Sequence, residues 1–166
     1  MSAAFELRDA GGEDLPFLFE LYCDVRGPEV NAWGWPAAQC DAFLRMQFEA
    51  QRQSYLAAYP DAIHHIVHSN GIDVGRRLVA ATPEEMRLVD IALLSTYRNR
   101  GIGAQLIQQL MDDCDGAGCV LRLQVLRGNP AQRLYERLGF RETSTETGAA
   151  AMYIEMARAP EPGRIA

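Results

Sequence analysis

The chain has 166 residues, 48% apolar and 23% charged, which is enough for one domain with a sizeable core and typical of a soluble globular protein. Its formal net charge of −6 argues against nucleic acid as a partner. We see neither an apolar run long enough to span a membrane nor the basic and apolar regions of a signal peptide, so we expect a cytoplasmic protein that does not bind membranes.

Neither the cysteines nor the histidines are spaced as metal ligands. The four cysteines match no zinc or redox pattern, so we expect reduced thiols. His64, His65 and His68 lie in a run that reads as a strand, where His64 and His65 point to opposite faces and His64 and His68 are about 13 Å apart. The sequence therefore predicts no bound metal.

The N-terminal part alternates between strand and helix signals. Gly27-Pro28 is a typical helix stop, so the helix before it should end near Val25, and a loop should follow. A second helix should begin at Pro36. The predicted order is a strand at Phe5–Asp9, a helix from Leu15 to about Val25, a loop at Glu29–Pro36, and a helix from Pro36 to about Ala57.

Two tryptophans within three residues, Trp33 and Trp35, lie in this Gly/Pro-rich loop. They either line a pocket for the acceptor substrate, since binding residues are often presented on loops, or cap the core. The second helix is aromatic on more than one face. It is therefore buried on two sides, or it forms a wall of the substrate cleft or a homodimer contact.

The middle of the chain predicts a hairpin and then a longer strand. Asn70-Gly71 is a strong signal for a two-residue hairpin turn between Ile63–His68 and Val74–Ala81. After a turn at Thr82–Glu85, Met86–Leu94 is an extended apolar run. This run is the third strand of the region.

A helix pattern follows that strand after a short turn. Ile102, Leu106, Leu110 and Cys114 recur every four residues, which is typical of a core-facing helix. The order from Met86 to Cys114 is therefore strand, glycine-containing turn, helix.

This order is suited to binding phosphate. The first N–H groups of a helix have no partner, and the helix dipole places partial positive charge there. Gly101 and Gly103 would let an anion approach the backbone, and Arg98 and Arg100 add positive charge. The segment has no Lys of a nucleoside-triphosphate loop, and Leu106 replaces the third glycine of the dinucleotide fingerprint. A plain turn with glycines for packing is the alternative interpretation.

A second motif lies behind a strand-like run at Cys119–Leu126. Asn129 is a good N-cap, Pro130 suits the first helical position, and Gly139 suits the residue just after the helix. Two strand candidates follow, at Phe140–Thr145 and Ala149–Met156, with a turn between them near Thr147-Gly148. The chain then ends in a tail at Ala159–Ala166.

Two motifs together resemble those of the GNAT-type N-acetyltransferase superfamily. They are Arg98-x-x-Gly101-x-Gly103 after an apolar strand, and Asn129-x5-Tyr135 before Leu138-Gly139-Phe140. The resemblance implies a mixed α/β (α+β) fold with a central, mostly antiparallel, twisted sheet of six to seven strands and about four helices. It also implies one domain over residues 1–158, with a flexible tail at 159–166.

In that family the turn binds the pyrophosphate of coenzyme A, so the resemblance implies acetyl-CoA as co-substrate and a small-molecule or peptide amine as acceptor. It places backbone groups of Ile91, Ala92 and Leu93 along the pantetheine arm, with the Leu93 N–H as the candidate oxyanion donor. Asn129 is assigned to the coenzyme arm and Tyr135 to protonation of the leaving thiolate. The implied pyrophosphate cradle consists of Arg98, Asn99, Arg100, Gly101, Ile102, Gly103 and Ala104.

The general base is less well defined. Many family members use a Glu on the fourth strand, and Arg87 occupies that position here. Asp90 and Glu85 are the candidates for a base acting through water, although Asp90 could equally be a buried partner of Arg87 or Arg122. We therefore expect direct acetyl transfer to an amine, with a non-catalytic acyl-CoA-binding sensor as the alternative.

Overall fold

The computed structural model describes residues 4–143 and 152–163. Within them it has four α-helices and a sheet of seven strands, which confirms the predicted mixed α/β fold. The strands are β1 (Glu6–Asp9), β2 (Ile63–Ser69), β3 (Ile72–Ala81), β4 (Glu85–Leu93), β5 (Val120–Leu126), β6 (Arg141–Glu142) and β7 (Tyr153–Arg158), and the helices are α1 (Leu15–Asn31), α2 (Ala37–Ala58), α3 (Ile102–Ala117) and α4 (Ala131–Arg137).

The strand order in the sheet is β1-β2-β3-β4-β5-β7-β6. β1 pairs antiparallel with β2, and β7 pairs antiparallel with both β5 and β6. β4 and β5 are parallel, as expected for two strands joined by a crossover helix, here α3. The predicted hairpin is also confirmed, because Asn70 and Gly71 both have positive φ between β2 and β3.

The chain divides into two compact units. The described residues of Met1–Leu78 and Asp90–Gly103 form the first, and those of Val79–Val89 and Ala104–Ala166 form the second. The interpretation of residues 1–158 as one domain stays a prediction.

In the first unit, α1 is longer than predicted. It continues through Gly27-Pro28 to Asn31, so the predicted stop at Gly27-Pro28 and the first part of the predicted loop are wrong. Pro28 lacks the N–H that would donate to the Asp24 carbonyl, yet the extra turn buries Val30 completely. Val30 packs with Cys40 and Leu44 of α2, and this burial outweighs the local stop signal.

In the second unit, α3 buries the apolar stripe that its sequence predicts, with Leu106, Leu110 and Cys114 all nearly inaccessible. The helix ends where Gly118 adopts a φ of +68°. Arg158 of β7 and Asp115 of α3 form a buried ion pair, with Nη1 and Oδ1 2.8 Å apart. The backbone N–H of Glu161, within the predicted tail, donates to the same carboxylate at 2.8 Å.

The described residues contain part of each predicted C-terminal strand. β6 covers Arg141–Glu142 of the predicted Phe140–Thr145 strand, and β7 covers the end of the predicted Ala149–Met156 strand and runs two residues beyond it, while residues 144–151 lie outside the described part of the chain. The turn predicted near Thr147-Gly148 lies outside the described residues. None of the helices in the described part of the chain is long and apolar enough to cross a membrane.

Candidate active site

The turn after β4 has the backbone that the strand–turn–helix prediction requires. A 3₁₀ turn covers Ser95–Tyr97, and Arg98 is extended. Asn99 and Gly101 then adopt positive φ of 60° and 83°, and α3 begins at Ile102. Two left-handed residues so close together turn the chain sharply into the helix, and an L-residue is strained in the conformation of Gly101.

Gly103 needs no explanation from packing. Its φ is not in the left-handed region, and a Cβ built on it meets only the Leu93 Cδ1 atom, at an ordinary 3.9 Å. In the first turn of a helix, alanine would be more stable than glycine by roughly 0.5–1 kcal/mol. The glycine therefore leaves open space above backbone N–H groups that have no helical partner, which fits a bound phosphate.

The two arginines of the turn have different surroundings. Arg98 Nε donates to the Leu93 carbonyl at 3.0 Å, and Nη2 donates to Asp24 Oδ2 at 3.2 Å. Arg100 is exposed, and its guanidinium lies 5.1 Å from the centre of the Tyr97 ring. Arg98 thus contacts the protein, whereas Arg100 faces solvent.

The end of β4 presents its backbone in alternating directions. The Leu94 N–H donates to the Val74 carbonyl at 2.8 Å, and the Ala92 carbonyl lies beside Gly75, so these two residues face β3. Strand alternation turns the backbone groups of Ile91 and Leu93 to the opposite edge. Among the described residues the ladder with β5 ends at Leu88 and does not include Ile91 or Leu93, and we call this side of the strand the open edge of β4.

Asp90 is held by Arg76, an arginine of β3 that belongs to none of the sequence motifs. Arg76 Nε donates to Asp90 Oδ2 at 2.7 Å, so the expected partner, Arg87 or Arg122, is wrong. Arg76 is only 8% exposed, and its Nη2 also donates to Gln51 Oε1 at 3.1 Å. The Tyr55 ring completes the surroundings of Arg76, with its centre 5.6 Å from the guanidinium.

Arg122 of β5 and Arg87 of β4 also form ion pairs. Glu85 accepts a hydrogen bond from Arg122 Nε at 2.6 Å. Arg87 donates to Glu155 Oε2 at 3.3 Å. Both carboxylates predicted as candidate bases, Glu85 and Asp90, therefore belong to ion pairs.

His64 lies near the Arg76–Asp90 pair. Burial, and then the charge of Arg76, lower the pKa of His64 to about 4, so its imidazole is neutral at pH 7. Its Nε2 atom is buried without a hydrogen-bond partner among the described residues. The other two histidines have acidic neighbours, Asp9 beside His65 and Asp73 beside His68. Within the described part of the chain, no three potential metal ligands lie together.

The second unit carries the Asn129 and Tyr135 motif. Asn129 Oδ1 accepts a hydrogen bond from the Ala131 N–H, the first of α4, at 2.9 Å, but the helix begins one residue later than predicted, so the N-cap is Pro130 and not Asn129. At the other end, Gly139 has a φ of +96°, and its N–H and that of Phe140 donate back to Glu136 and Tyr135. This is a Schellman motif, with Gly139 just after the helix as the sequence predicts.

Tyr135 is buried, with its ring 5.8 Å from that of Phe140. Each unit thus contains the local structure of one predicted motif. The first has a glycine-containing turn that leads into a helix, and the second has a short helix that carries a buried tyrosine.

Trp33 and Trp35 form an exposed aromatic cluster with Phe43 of α2. The three rings make edge-to-face contacts at 5.0 to 5.7 Å, and the two tryptophans remain 44% and 39% exposed. The buried residues of α2 are Cys40 and Leu44, so the interpretation that α2 is buried on two sides is wrong. The aromatic cluster is therefore accessible to a ligand.

Two residues of this region were missed in the sequence. Asp24 contacts Ser95 and Arg98, and Arg76 contacts Asp90, but both contacts join residues distant in sequence. Neither residue belongs to a motif, so no local signal identifies them.

Comparison with known proteins adds an independent observation. A family model described as an acetyltransferase (GNAT) domain matches residues 60–142, which include the turn after β4 and the Asn129 to Phe140 motif.

Solved structures share the fold over nearly the whole chain. PaiA N-acetyltransferase from Thermoplasma acidophilum, in complex with coenzyme A, is 17% identical with a TM-score of 0.67, covering 94% of this chain and 99% of that chain. A protein described as histone acetyltransferase HPA2 and related acetyltransferase, from Corynebacterium glutamicum, is 19% identical with a TM-score of 0.66, covering 99% and 100%. The ribosomal-protein-S18-alanine N-acetyltransferase of Escherichia coli is 19% identical with a TM-score of 0.59, covering 98% and 99%. At such identities the likeness is one of fold.

Proposed function

Because this chain belongs to the GNAT family of acetyltransferases, we propose that it is an acetyl-CoA-dependent N-acetyltransferase that transfers the acetyl group directly to a primary amine. The proposal depends most on Gly103, because neither the backbone conformation nor the packing at this position requires a glycine. A phosphate approaching the first turn of α3 accounts for it. The coenzyme A in the similar structure from Thermoplasma acidophilum supports the same ligand class.

In this proposal the cradle from Arg98 to Ala104 binds the pyrophosphate through the N–H groups at the start of α3 and the charge of Arg100. Ile91 offers its backbone groups at the open edge of β4 to the pantetheine arm, whereas Leu93 offers only its N–H, to the thioester carbonyl, because Arg98 Nε already occupies the Leu93 carbonyl. Asn129 contributes to binding this arm beside its hydrogen bond to the backbone of α4. The thioester is thereby held with its carbonyl carbon available to the amine.

The reaction forms a C–N bond to the acceptor and breaks the C–S bond of the thioester. The Leu93 N–H donates to the carbonyl oxygen as negative charge develops on it. Tyr135 donates its phenolic proton to the departing thiolate. The acceptor ammonium passes one proton through water to a carboxylate before attack, and the second proton that its nitrogen loses as the amide forms restores the phenol of Tyr135.

Of the two candidate carboxylates, Asp90 is better placed. It lies three residues before Leu93 on β4, or about 10 Å at 3.3 Å per residue, whereas Glu85 lies eight residues before, or about 26 Å. Since Asp90 is paired with Arg76, it would act through water rather than by direct contact. Trp33 and Trp35 are the proposed contacts of the acceptor.

A second function has a specific observation in its favour. Arg87 replaces the family's glutamate, and Asp90 and Glu85 are both bound to arginines. A chain without a free base could bind acyl-CoA as a sensor without turnover. The two functions differ in whether any amine releases free thiol.

The test is calorimetric titration of the protein with acetyl-CoA, with ATP and NAD as controls, followed by an amine panel read by thiol release. Saturable binding of acetyl-CoA alone, with thiol release on at least one amine, is the result we expect. Binding without turnover on any amine would support the sensor, and no binding with or without amine would refute both.

A further inference from the structure

Asp24 of α1 makes three hydrogen bonds to the turn that precedes the cradle. Its Oδ2 accepts from the Ser95 backbone N–H at 2.6 Å, and its Oδ1 accepts from the Ser95 hydroxyl at 3.0 Å. Oδ2 also accepts from Arg98 Nη2 at 3.2 Å. Hydrogen bonds to an ionised carboxylate are roughly twice as strong as neutral ones, so this single side chain fixes the turn to α1.

Arg98 carries the attachment from Asp24 to the end of β4. While Nη2 contacts Asp24, Nε donates to the Leu93 carbonyl at 3.0 Å. The chain Asp24–Arg98–Leu93 thus connects a helix, a turn and a strand through polar contacts. It also occupies one of the two Leu93 backbone groups at the open edge of β4.

The charge of Arg98 is therefore balanced before any ligand arrives. Asp24 lies within ion-pair distance of it, so the pair presents little net charge to a phosphate. Arg100 is exposed, and no acidic partner for it occurs among the described residues. The positive charge that a phosphate meets in this turn is that of Arg100.

We propose that Asp24 is a positioning residue for coenzyme binding. Arg98 is the clamp, by which we mean the side chain through which Asp24 holds both the turn and the Leu93 carbonyl. Of the two arginines, only Arg100 contacts phosphate. This inference rests on the proposed function. A carboxylate beside an anion site repels the ligand. Its presence is explained if Asp24 holds the turn in its bound conformation and thereby lowers the entropic cost of binding by more than the repulsion raises the binding free energy.

The experiment compares acetyl-CoA dissociation constants by calorimetry for the wild type and the variants Asp24→Asn, Asp24→Ala, Arg98→Gln and Arg100→Gln. Glu20→Gln is the matched control, since Glu20 is exposed one helical turn before Asp24 on α1 and its change removes the same charge. Each titration is made at about 0.05 M and about 0.5 M salt, because salt screens a direct charge contact.

We expect Asp24→Ala and Arg98→Gln to weaken binding about tenfold at both salt concentrations, because they loosen the turn rather than remove a phosphate contact. Arg100→Gln should weaken binding more at low salt than at high salt. Combining Asp24→Ala with Arg98→Gln should be no worse than the more severe single change, since both act through one clamp. Glu20→Gln should bind as the wild type does.

Wild-type affinity in both Asp24 variants would overturn the proposal. So would a combination of two results, tighter binding in the Asp24 variants and a salt-sensitive loss of affinity in Arg98→Gln. That combination would make Arg98 a phosphate ligand that Asp24 restrains. Asp24→Asn keeps the shape of the side chain and serves if Asp24→Ala does not fold, with thermal unfolding as the check. Failure of the proposed function is distinguishable, because the wild type would then not bind acetyl-CoA at either salt concentration.

Discussion

Gly75 of β3 lies directly against Ala92 of β4, so that a Cβ atom on Gly75 would be 2.4 Å from the Ala92 carbonyl oxygen and 2.6 Å from Leu93 Cδ2. A backbone oxygen cannot move aside as a flexible side chain would. We therefore predict that Gly75→Ala lowers the free energy of unfolding by about 2 kcal/mol and weakens acetyl-CoA binding, because it displaces the end of β4. Denaturant unfolding and calorimetry measure the two effects.

Gly116→Ala is the matched control for that change. Gly116 lies in α3, and a Cβ built there meets nothing within 4 Å. Alanine should raise the free energy of unfolding by about 0.5–1 kcal/mol and leave binding unchanged. If Gly75→Ala behaved like Gly116→Ala, the close approach of β3 and β4 would have no energetic importance.

Gly103 offers a direct test of the cradle. Gly103→Glu places a carboxylate where we propose that the pyrophosphate binds, so acetyl-CoA affinity should fall at least about 100-fold by repulsion and exclusion. The fold should survive, because among the described residues the nearest atom to a Cβ at this position, Leu93 Cδ1, is 3.9 Å away. Gly103→Ala adds only a methyl group at the place where we propose that the phosphate approaches, so it should weaken binding about tenfold, less than Gly103→Glu. Retained binding in Gly103→Glu would place the phosphate elsewhere.

The elements that could be predicted from the sequence are those whose signals are local. The apolar stripe of α3, the Asn70-Gly71 hairpin and the Schellman end of α4 each depend on residues within a few positions of one another. The turn after β4 belongs to the same class. Its glycines and the strand before it were enough to predict the order strand, turn, helix, while the anion site stays a prediction.

What could not be predicted depends on partners distant in sequence. The stop signal at Gly27-Pro28 was overridden because Val30 packs on Cys40 and Leu44, and nothing near Pro28 encodes that contact. The ion pairs were missed for the same reason. Asp90 selects Arg76 rather than Arg87 because of strand pairing and the position of α2, which local patterns do not specify.

Tyr135→Phe tests the proposed general acid. Phenylalanine keeps the ring that packs beside Phe140, so the fold and acetyl-CoA affinity should be preserved. Loss of the phenolic proton should lower turnover about 100-fold, the usual range for general acid catalysis. Thiol release at saturating amine gives turnover, and calorimetry gives affinity. Unchanged turnover would remove Tyr135 from the mechanism, and reduced affinity without reduced turnover would assign it to binding.

His64 should make the stability of the protein depend on pH in the range between the pKa of its imidazole in the unfolded chain and the pKa in the folded protein. Burial lowers its pKa from 6.5 to about 4 in the folded state, so between these values the unfolded chain binds more protons than the folded one. The free energy of unfolding should therefore fall as the pH is lowered from about 6.5 to about 4, and not change further below that on account of His64.

The side chain is only partly buried, so solvent screening reduces the expected loss to about 1–2 kcal/mol. His64→Gln cannot titrate and should lack this part of the pH dependence, whereas the loss of carboxylate contacts such as that of Asp14 with Arg8 should remain in both proteins. The measurement is denaturant unfolding of both proteins from pH 4 to pH 7.5. Parallel curves would mean that His64 titrates normally in the folded protein, and a variant that lost more stability in acid than the wild type would reverse the sign of the argument.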